Sequence, residues 1–323
     1  MKKIVFLGDT HLSDRQISTR VDDTTETCLE KFEKVLGFAK LKDADIICTG
    51  DVFTHTLYSN KTRYRIKKAL KDFQGAGLGF FSCAGNHSGD VEGIDSSTVI
   101  YRELGQFCID GYINFLGEFD GVFKDYVIDE GYEDFPRMVI RGYSAYSELN
   151  TSDAGSVIGL VCHHWIMDAF GDSLVVYPDD MKKVFPNLRF IVAGHDHAYH
   201  DPYYSRDGVW VVRPGSMMRT DAGKSSDRIP CVELFTMGQG LTNYSWEQVP
   251  ISCARPYSEV FYSEKRQADS ESANALSRFV EQMQNNSGAV MDIVSAVREQ
   301  LALVPAGDQG MIKNDLSQQG FLA

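Results

Sequence analysis

No apolar run in this sequence approaches the roughly 20 residues a helix needs to cross a bilayer, and the most apolar stretches, such as Ile158 to Cys162, are strand-sized. No membrane association is expected. The N-terminus offers only about four apolar residues before Gly8-Asp9, too few for a secretion signal, so it reads as a first strand. Cysteine never occurs as C-x-x-C. The seven cysteines, at 28, 48, 83, 108, 162, 231 and 253, are scattered and odd in number. That pattern excludes a zinc ribbon and a disulfide framework, and points to reduced thiols in the cytoplasm. Repeats and low-complexity tracts are absent. Cations are outnumbered, 32 Lys and Arg against 45 Asp and Glu, for a net charge of −13. Bulk electrostatics therefore exclude non-specific nucleic-acid binding. Phosphate recognition would need divalent metals or a local basic patch.

What is present is an ordinary globular composition, 43% hydrophobic and 24% charged, with strands and helices in alternation. Lys3 to Leu7, Ala44 to Thr49 and Leu78 to Cys83 read as strands. Helical spacing runs from about Thr24 to Lys40, from Arg63 to Phe73 and from Ser97 to Phe107. Strands then dominate, at 121–128, 137–143, 157–162, 188–193, 208–213, 230–236 and 242–248, with a short helix near 179–185. A βαβαβ start followed by a mainly β half predicts an α/β fold of two sheets flanked by helices. Composition shifts near Pro250, so residues 1–250 are expected to form the main domain and 251–323 a small C-terminal α/β appendage. That appendage would hold a strand-like piece at 257–262 and helices at 269–284 and 289–303.

Five strand-like runs end in metal-competent side chains: Gly8-Asp9-Thr10-His11, Gly50-Asp51, Gly85-Asn86-His87, Cys162-His163-His164 and Gly194-His195-Asp196-His197. One Gly-Asp after a strand is usually a turn. Five such ends holding six of the eight histidines are hard to explain that way. Strand ends share one edge of a packed sheet, so these groups would converge there. Carboxylate oxygen, amide oxygen and neutral imidazole together suit manganese, iron or zinc, whereas calcium favours oxygen alone.

In order and spacing the five motifs resemble those of the calcineurin-like metallophosphoesterases. The resemblance implies a four-layer sandwich of two mixed β-sheets with helices outside, and two divalent metals, Mn2+ first among them, with Mg2+, Zn2+ or Fe2+ as alternatives. By position, Asp9, His11 and His197 would hold one metal, and Asn86, His163 and His195 the other, with Asp51 bridging. His163 is preferred to His164 because the first histidine after the strand is the usual ligand. His87 would be the catalytic acid or electrostatic stabiliser, and Ser88 stands where the family usually has aspartate.

Gly50-Asp51-Val52-Phe53-Thr54-His55 departs from the protein phosphatase pattern and is similar to that of the SbcD-type nucleases. Arg213-Pro214-Gly215-Ser216-Met217-Met218-Arg219 is also similar to a segment of that branch. The resemblance implies a DNA exonuclease/endonuclease subunit for repair or recombination, in a bacterial cell or phage-infected host. It also implies DNA and an SbcC-type coiled-coil ATPase as partners, and leaves a homodimer open. The sequence has no Gly-x-x-x-x-Gly-Lys-Ser/Thr loop, so ATP dependence would come from that other subunit. His55, His164, Arg63, Lys67, Lys71 and Arg219 are candidate substrate contacts, the three cations Arg63, Lys67 and Lys71 sharing a helical face. Trp165 and Trp210 read as packing residues in preference to base-stacking platforms. A phosphodiesterase acting on small nucleotides or other small phosphodiesters is the alternative enzyme, and a non-catalytic scaffold the alternative class.

Overall fold

The computed structural model describes residues 2–88, 99, 102–119, 122–128, 138–145, 147–166, 175–220, 222, 227–238 and 244–262. The described residues up to Phe261 belong to one compact unit. The expected helices at 269–284 and 289–303 lie outside the described residues.

Two six-stranded mixed sheets carry the fold. The first has the parallel strands β1 (Lys2–Leu7), β2 (Asp45–Cys48), β3 (Phe80–Ser82) and β4 (Asn114–Phe115). It is extended antiparallel from β1 by β15 (Cys231–Met237) and β16 (Tyr244–Pro250). In the second, β8 (Met138–Tyr143), β9 (Val157–Cys162), β12 (Phe190–Ala193) and β14 (Trp210–Arg213) run parallel. β7 (Tyr126–Ile128) and β13 (His200–Tyr204) pair antiparallel at its two edges. Among the described residues two ribbons complete the set: β5 (Gly117–Phe119) with β6 (Val122–Lys124), and β10 (Trp165–Ile166) with β11 (Val175–Val176).

Strand alternation decides the layers, because successive side chains point to opposite faces. On β1, Ile4 and Phe6 meet Ile140, Val161, Phe190, Val192 and Val212 of the other sheet. Val5 and Leu7 face the other way, onto Leu29, Phe32 and Leu36 of α1 (Thr24–Lys42) and Ile66, Leu70 and Phe73 of α2 (Asn60–Gln74). The outer face of the second sheet packs Leu160, Cys162, Ile191 and Val211 on Phe185 and Leu188, with Met181 and Val184 of α4 (Pro178–Val184) alongside. Helix, sheet, sheet, helix is the four-layer order expected. Both helices of the first outer layer have capped N-termini. Asp23 accepts from Glu26 N, and Ser59 from Thr62 N.

Several expected elements differ. The strand at 121–128 is two strands, β6 and β7, and 208–213 begins at Trp210. Of the helix expected at 97–107, the described part is α3 (Glu103–Ile109). The strand-like piece at 257–262 is a 3-10 turn over Tyr257–Glu259 followed by a single bridge from Phe261 to Arg20. Its aromatics satisfy a small cluster, with Tyr257, Val260 and Phe261 burying against Ala222 rather than alternating across a sheet.

Register gathers the site. Leu7 lies opposite Cys48 and Cys48 opposite Ser82, while Cys162 lies opposite Ala193 in the second sheet. The loops after β1, β2 and β3 therefore leave one edge side by side, as do those after β9 and β12.

Candidate metal centre

Each of the five loops delivers its side chain to one place. His11 Nε2 lies 2.8 Å from His197 Nε2. Asp9 Oδ2 lies 3.5 Å from His197 Nε2, and Asp9 Oδ1 3.6 Å from His163 Nδ1. His163 Nε2 sits 3.2 Å from Asp51 Oδ2 and 2.8 Å from Asn86 Oδ1. The same Asn86 oxygen is 3.1 Å from His195 Nδ1. Ligand atoms of Asp9, His11 and His197 all fall within 4.8 Å of one another, as do those of Asp9, Asp51 and His163, and those of His11, Asp51 and His87.

Two glycines have a steric reason. A Cβ on Gly85 would overlap the Asp51 carboxylate, and one on Gly194 would overlap Asp9 Oδ1 and Thr49 Oγ1. Backbone thus passes directly behind both carboxylates, as close approach requires. It also serves them, for His87 N donates to Asp51 Oδ1 at 2.8 Å and His195 N to Asp9 Oδ2 at 3.1 Å.

Electrostatics prepare the donors. Burial lowers His11 to about 3, and burial with His163 nearby lowers His195 to about 4, so both imidazoles keep a free lone pair at neutral pH. Burial also opposes ionisation of Asp51, but the adjacent His163 outweighs it and holds the carboxyl far below the usual range. For Asp9, burial wins and raises the carboxyl, with Asp51 adding repulsion against the pull of His163 and His197. In the metal-free chain His163 carries the compensating charge. Burial works against it, yet Asp51 and Asp9 lift it to about 9.

These residues fit divalent metal. Two buried carboxylates 42 positions apart share one cation source in His163, and two neighbouring imidazoles are held neutral. The Thr49 carbonyl, 3.2 Å from His163 Nδ1, accepts a hydrogen bond from Nδ1–H and leaves Nε2 for coordination. Mixed nitrogen and oxygen donors suit manganese, iron or zinc.

A family model for calcineurin-like phosphoesterases matches residues 2–199. The chain belongs to the calcineurin-like phosphoesterase family. Members of this family use two divalent metals, so the chain is a metal-dependent phosphoester hydrolase. No curated protein matches it. Among the described residues no helix is long and apolar enough to cross a membrane.

The other expected site residues fall in different places. His87 is exposed at the mouth, its ring 5.3 Å from that of His11. Beside it opens a cavity of about 380 Å3 lined by His55, Tyr58, Asn86, His87 and Arg102 among others. His55 Nε2 is 3.2 Å from Asp14 Oδ1, whose other oxygen accepts from Ser59 N and Tyr58 N. His164 stacks on Tyr143 at 4.1 Å, with its Nδ1 buried and without a hydrogen-bond partner. On α2, Arg63 is paired with Glu103 at 2.8 Å and Lys67 with Asp110 at 2.6 Å, while Lys71 is exposed. Arg219 is fully buried, and its guanidinium donates to the carbonyls of Arg228 and Arg255. It tethers loops and reaches no open surface.

Two contributors escaped the sequence reading. Thr49, which orients His163 and lies 3.3 Å from Asp9 through its hydroxyl, immediately precedes Gly50-Asp51 and was discoverable there. Arg228 donates from Nη2 to the carbonyls of His197 and Ser216, fixing the ligand loop against the Gly215 turn. It lies 31 positions from His197, with no motif to mark it.

Proposed function

We infer that this hydrolase cleaves phosphodiesters with two metals, and that its substrate is DNA, as the exonuclease/endonuclease subunit of an SbcC/SbcD-type repair or recombination complex. The observation that carries the two-metal reading is the shared position of Asp51. Its carboxylate stands between His163 on one side and the His11 and His87 group on the other. Asp9, His11 and His197 would hold one ion, and Asn86, His163 and His195 the second, with Asp51 common to both. When bound, the ions supply Lewis acidity, charge neutralisation for phosphoryl oxygens and an activated water. Manganese is the proposed metal from the resemblance to the nuclease branch, the donors themselves suiting manganese, iron or zinc.

The protein's own part is to orient and to move a proton. Asp51 Oδ1 fixes the Asn86–Ser88 turn through His87 N, which presents the His87 ring at the mouth. From there a protonated ring nitrogen can donate to the departing alkoxide. Support for DNA is the similarity of the Arg213–Arg219 segment to one in the SbcD-type nucleases. The segment lies against the centre, with Met217 N donating to Asp9 O at 2.8 Å and Ser216 N to His197 O at 3.2 Å.

One observation favours the small-phosphodiester alternative. The cationic stripe of α2 is largely neutralised, since Arg63, Lys67 and Arg65 all pair with carboxylates. DNA binding would then depend on Lys71, on other surfaces, or on the ATPase partner. Parallel assays on linear double-stranded DNA, single-stranded DNA and bis-p-nitrophenyl phosphate, each under manganese, magnesium and zinc, separate the two. Cleavage of the chromogenic diester with intact DNA would transfer the assignment to small substrates.

A further inference from the structure

The three tryptophans divide sharply. Trp210 and Trp246 pack against the core between the sheets, and the Nε1 of each is buried. Trp165 is 43% exposed. It follows His163 and His164 directly, on the two-residue strand β10. Its indole meets the His195 ring almost at right angles, 81°, with centroids 5.1 Å apart. His195 in turn approaches Asn86, a lining residue of the 380 Å3 cavity.

Single exposed apolar side chains are common and need no explanation. This one differs in its neighbour. A near-perpendicular contact does not cover an indole as a parallel stack would, and 43% of Trp165 stays open. The uncovered surface therefore stands next to a metal-ligand candidate, where a substrate phosphate would sit. A flat aromatic group esterified to that phosphate is the ligand that such a surface recognises. Stacking of a base on an aromatic side chain is worth about 1–3 kcal/mol and tolerates any base. Trp165, read from the sequence as a packing residue, is the tryptophan with an open surface.

We propose that Trp165 is a base-stacking subsite, making nucleoside phosphoesters the preferred substrate class of this centre. This rests on the phosphodiesterase reading above and narrows it.

The test uses the full chain loaded with Mn2+, with thymidine 5′-monophosphate and deoxyribose 5-phosphate as probes that differ only in the base. Both are titrated as inhibitors of bis-p-nitrophenyl phosphate hydrolysis, and the nucleotide also by quenching of tryptophan fluorescence. The wild type should bind the nucleotide about 5- to 150-fold more tightly, the range that stacking supplies. Trp165→Ala should abolish this preference and Trp165→Phe should keep most of it, while the metal content of both stays at wild-type level. Fluorescence quenching by the nucleotide should vanish in Trp165→Phe. Equal affinity for the two probes in the wild type, or a preference that survives in Trp165→Ala, would overturn the assignment. So would loss of metal in Trp165→Ala without recovery of the preference in Trp165→Phe, because the ring would then only brace His195. Should no diester be hydrolysed while the nucleotide still quenches Trp165, the phosphodiesterase reading falls and the stacking subsite stands.

Discussion

The imidazole Nε2 atoms of His11 and His197 face each other across 2.8 Å, although 186 residues separate them. Burial keeps His11 a neutral imidazole, held down at about 3. His197 is partly open, with 29% of its side chain exposed. The inner member of the pair is thus a ready lone pair and the outer one faces the solvent side. Asp9 Oδ2, 3.5 Å from His197, adds an anionic donor to the same space.

The two adjacent histidines give a test of assignment. His163→Ala should remove the second metal, because its Nε2 faces both Asn86 and Asp51. His164→Ala removes a ring stacked on Tyr143 and should leave metal stoichiometry unchanged. Metal content per chain, measured on both variants, decides. Loss from His164→Ala with retention in His163→Ala would reverse the assignment.

His87→Ala should keep both metals and lower turnover on DNA about 10²-fold or more, in the range of a lost general acid. The loss on bis-p-nitrophenyl phosphate should be smaller, since p-nitrophenolate leaves without a proton. His87 also lies within 4.8 Å of ligand atoms of His11 and Asp51. Metal lost along with the rate would therefore make it a ligand instead.

Much of the fold and the centre was legible because parallel strands finish at one edge. A donor after each strand, behind a glycine in four of the five, could be read before any distance was known, and α1 and α2 followed from apolar spacing alone. Pairings across the chain left no such trace. Arg63 meets Glu103 over 40 positions, and nothing in the α2 sequence announces that its cations are neutralised. β13 was missed because His200 and Pro202 break the pattern. Proline is tolerated there because the strand is at an edge and its register shifts between His200 and Tyr203. Trp165 and Trp210 look alike in sequence, and only three-dimensional neighbours distinguish a core indole from an open one.

Charge reversal on α2 should split by position. Arg63→Glu would set two carboxylates together at Glu103, which is buried and also accepts from Leu57 N. A loss of roughly 1–2 kcal/mol is expected, low for a broken buried pair because Arg63 is partly exposed. Lys71→Glu should leave the melting temperature unchanged. If Lys71 touches a DNA phosphate, the salt dependence of DNA binding should fall by about 0.9 in slope. Thermal melts and binding at two salt concentrations read both effects. An unaltered slope removes Lys71 from the DNA surface.

Glu233 makes stability pH-dependent away from the centre. It is buried on β15 with Oε1 lacking a partner, and burial pushes its carboxyl up to about 7 although Gln248 pulls the other way. The folded chain therefore holds a proton that the unfolded chain releases above about 4.5. Stability from this group is full below that point and is lost as pH rises to about 7, by roughly 2–3 kcal/mol. Glu233→Gln should flatten denaturant midpoints between pH 5 and 8, raising the one at pH 8 most. Parallel curves for the two proteins would contradict the assignment.

The most direct test of the shared two-metal centre is manganese content per chain, measured with bis-p-nitrophenyl phosphate turnover, in the wild type and in Asp51→Ala. With Asp51 common to both ions, the wild type should hold two manganese ions and hydrolyse the diester. Asp51→Ala should lose metal from both positions and fall to background. Two ions retained with full turnover in Asp51→Ala would contradict the account.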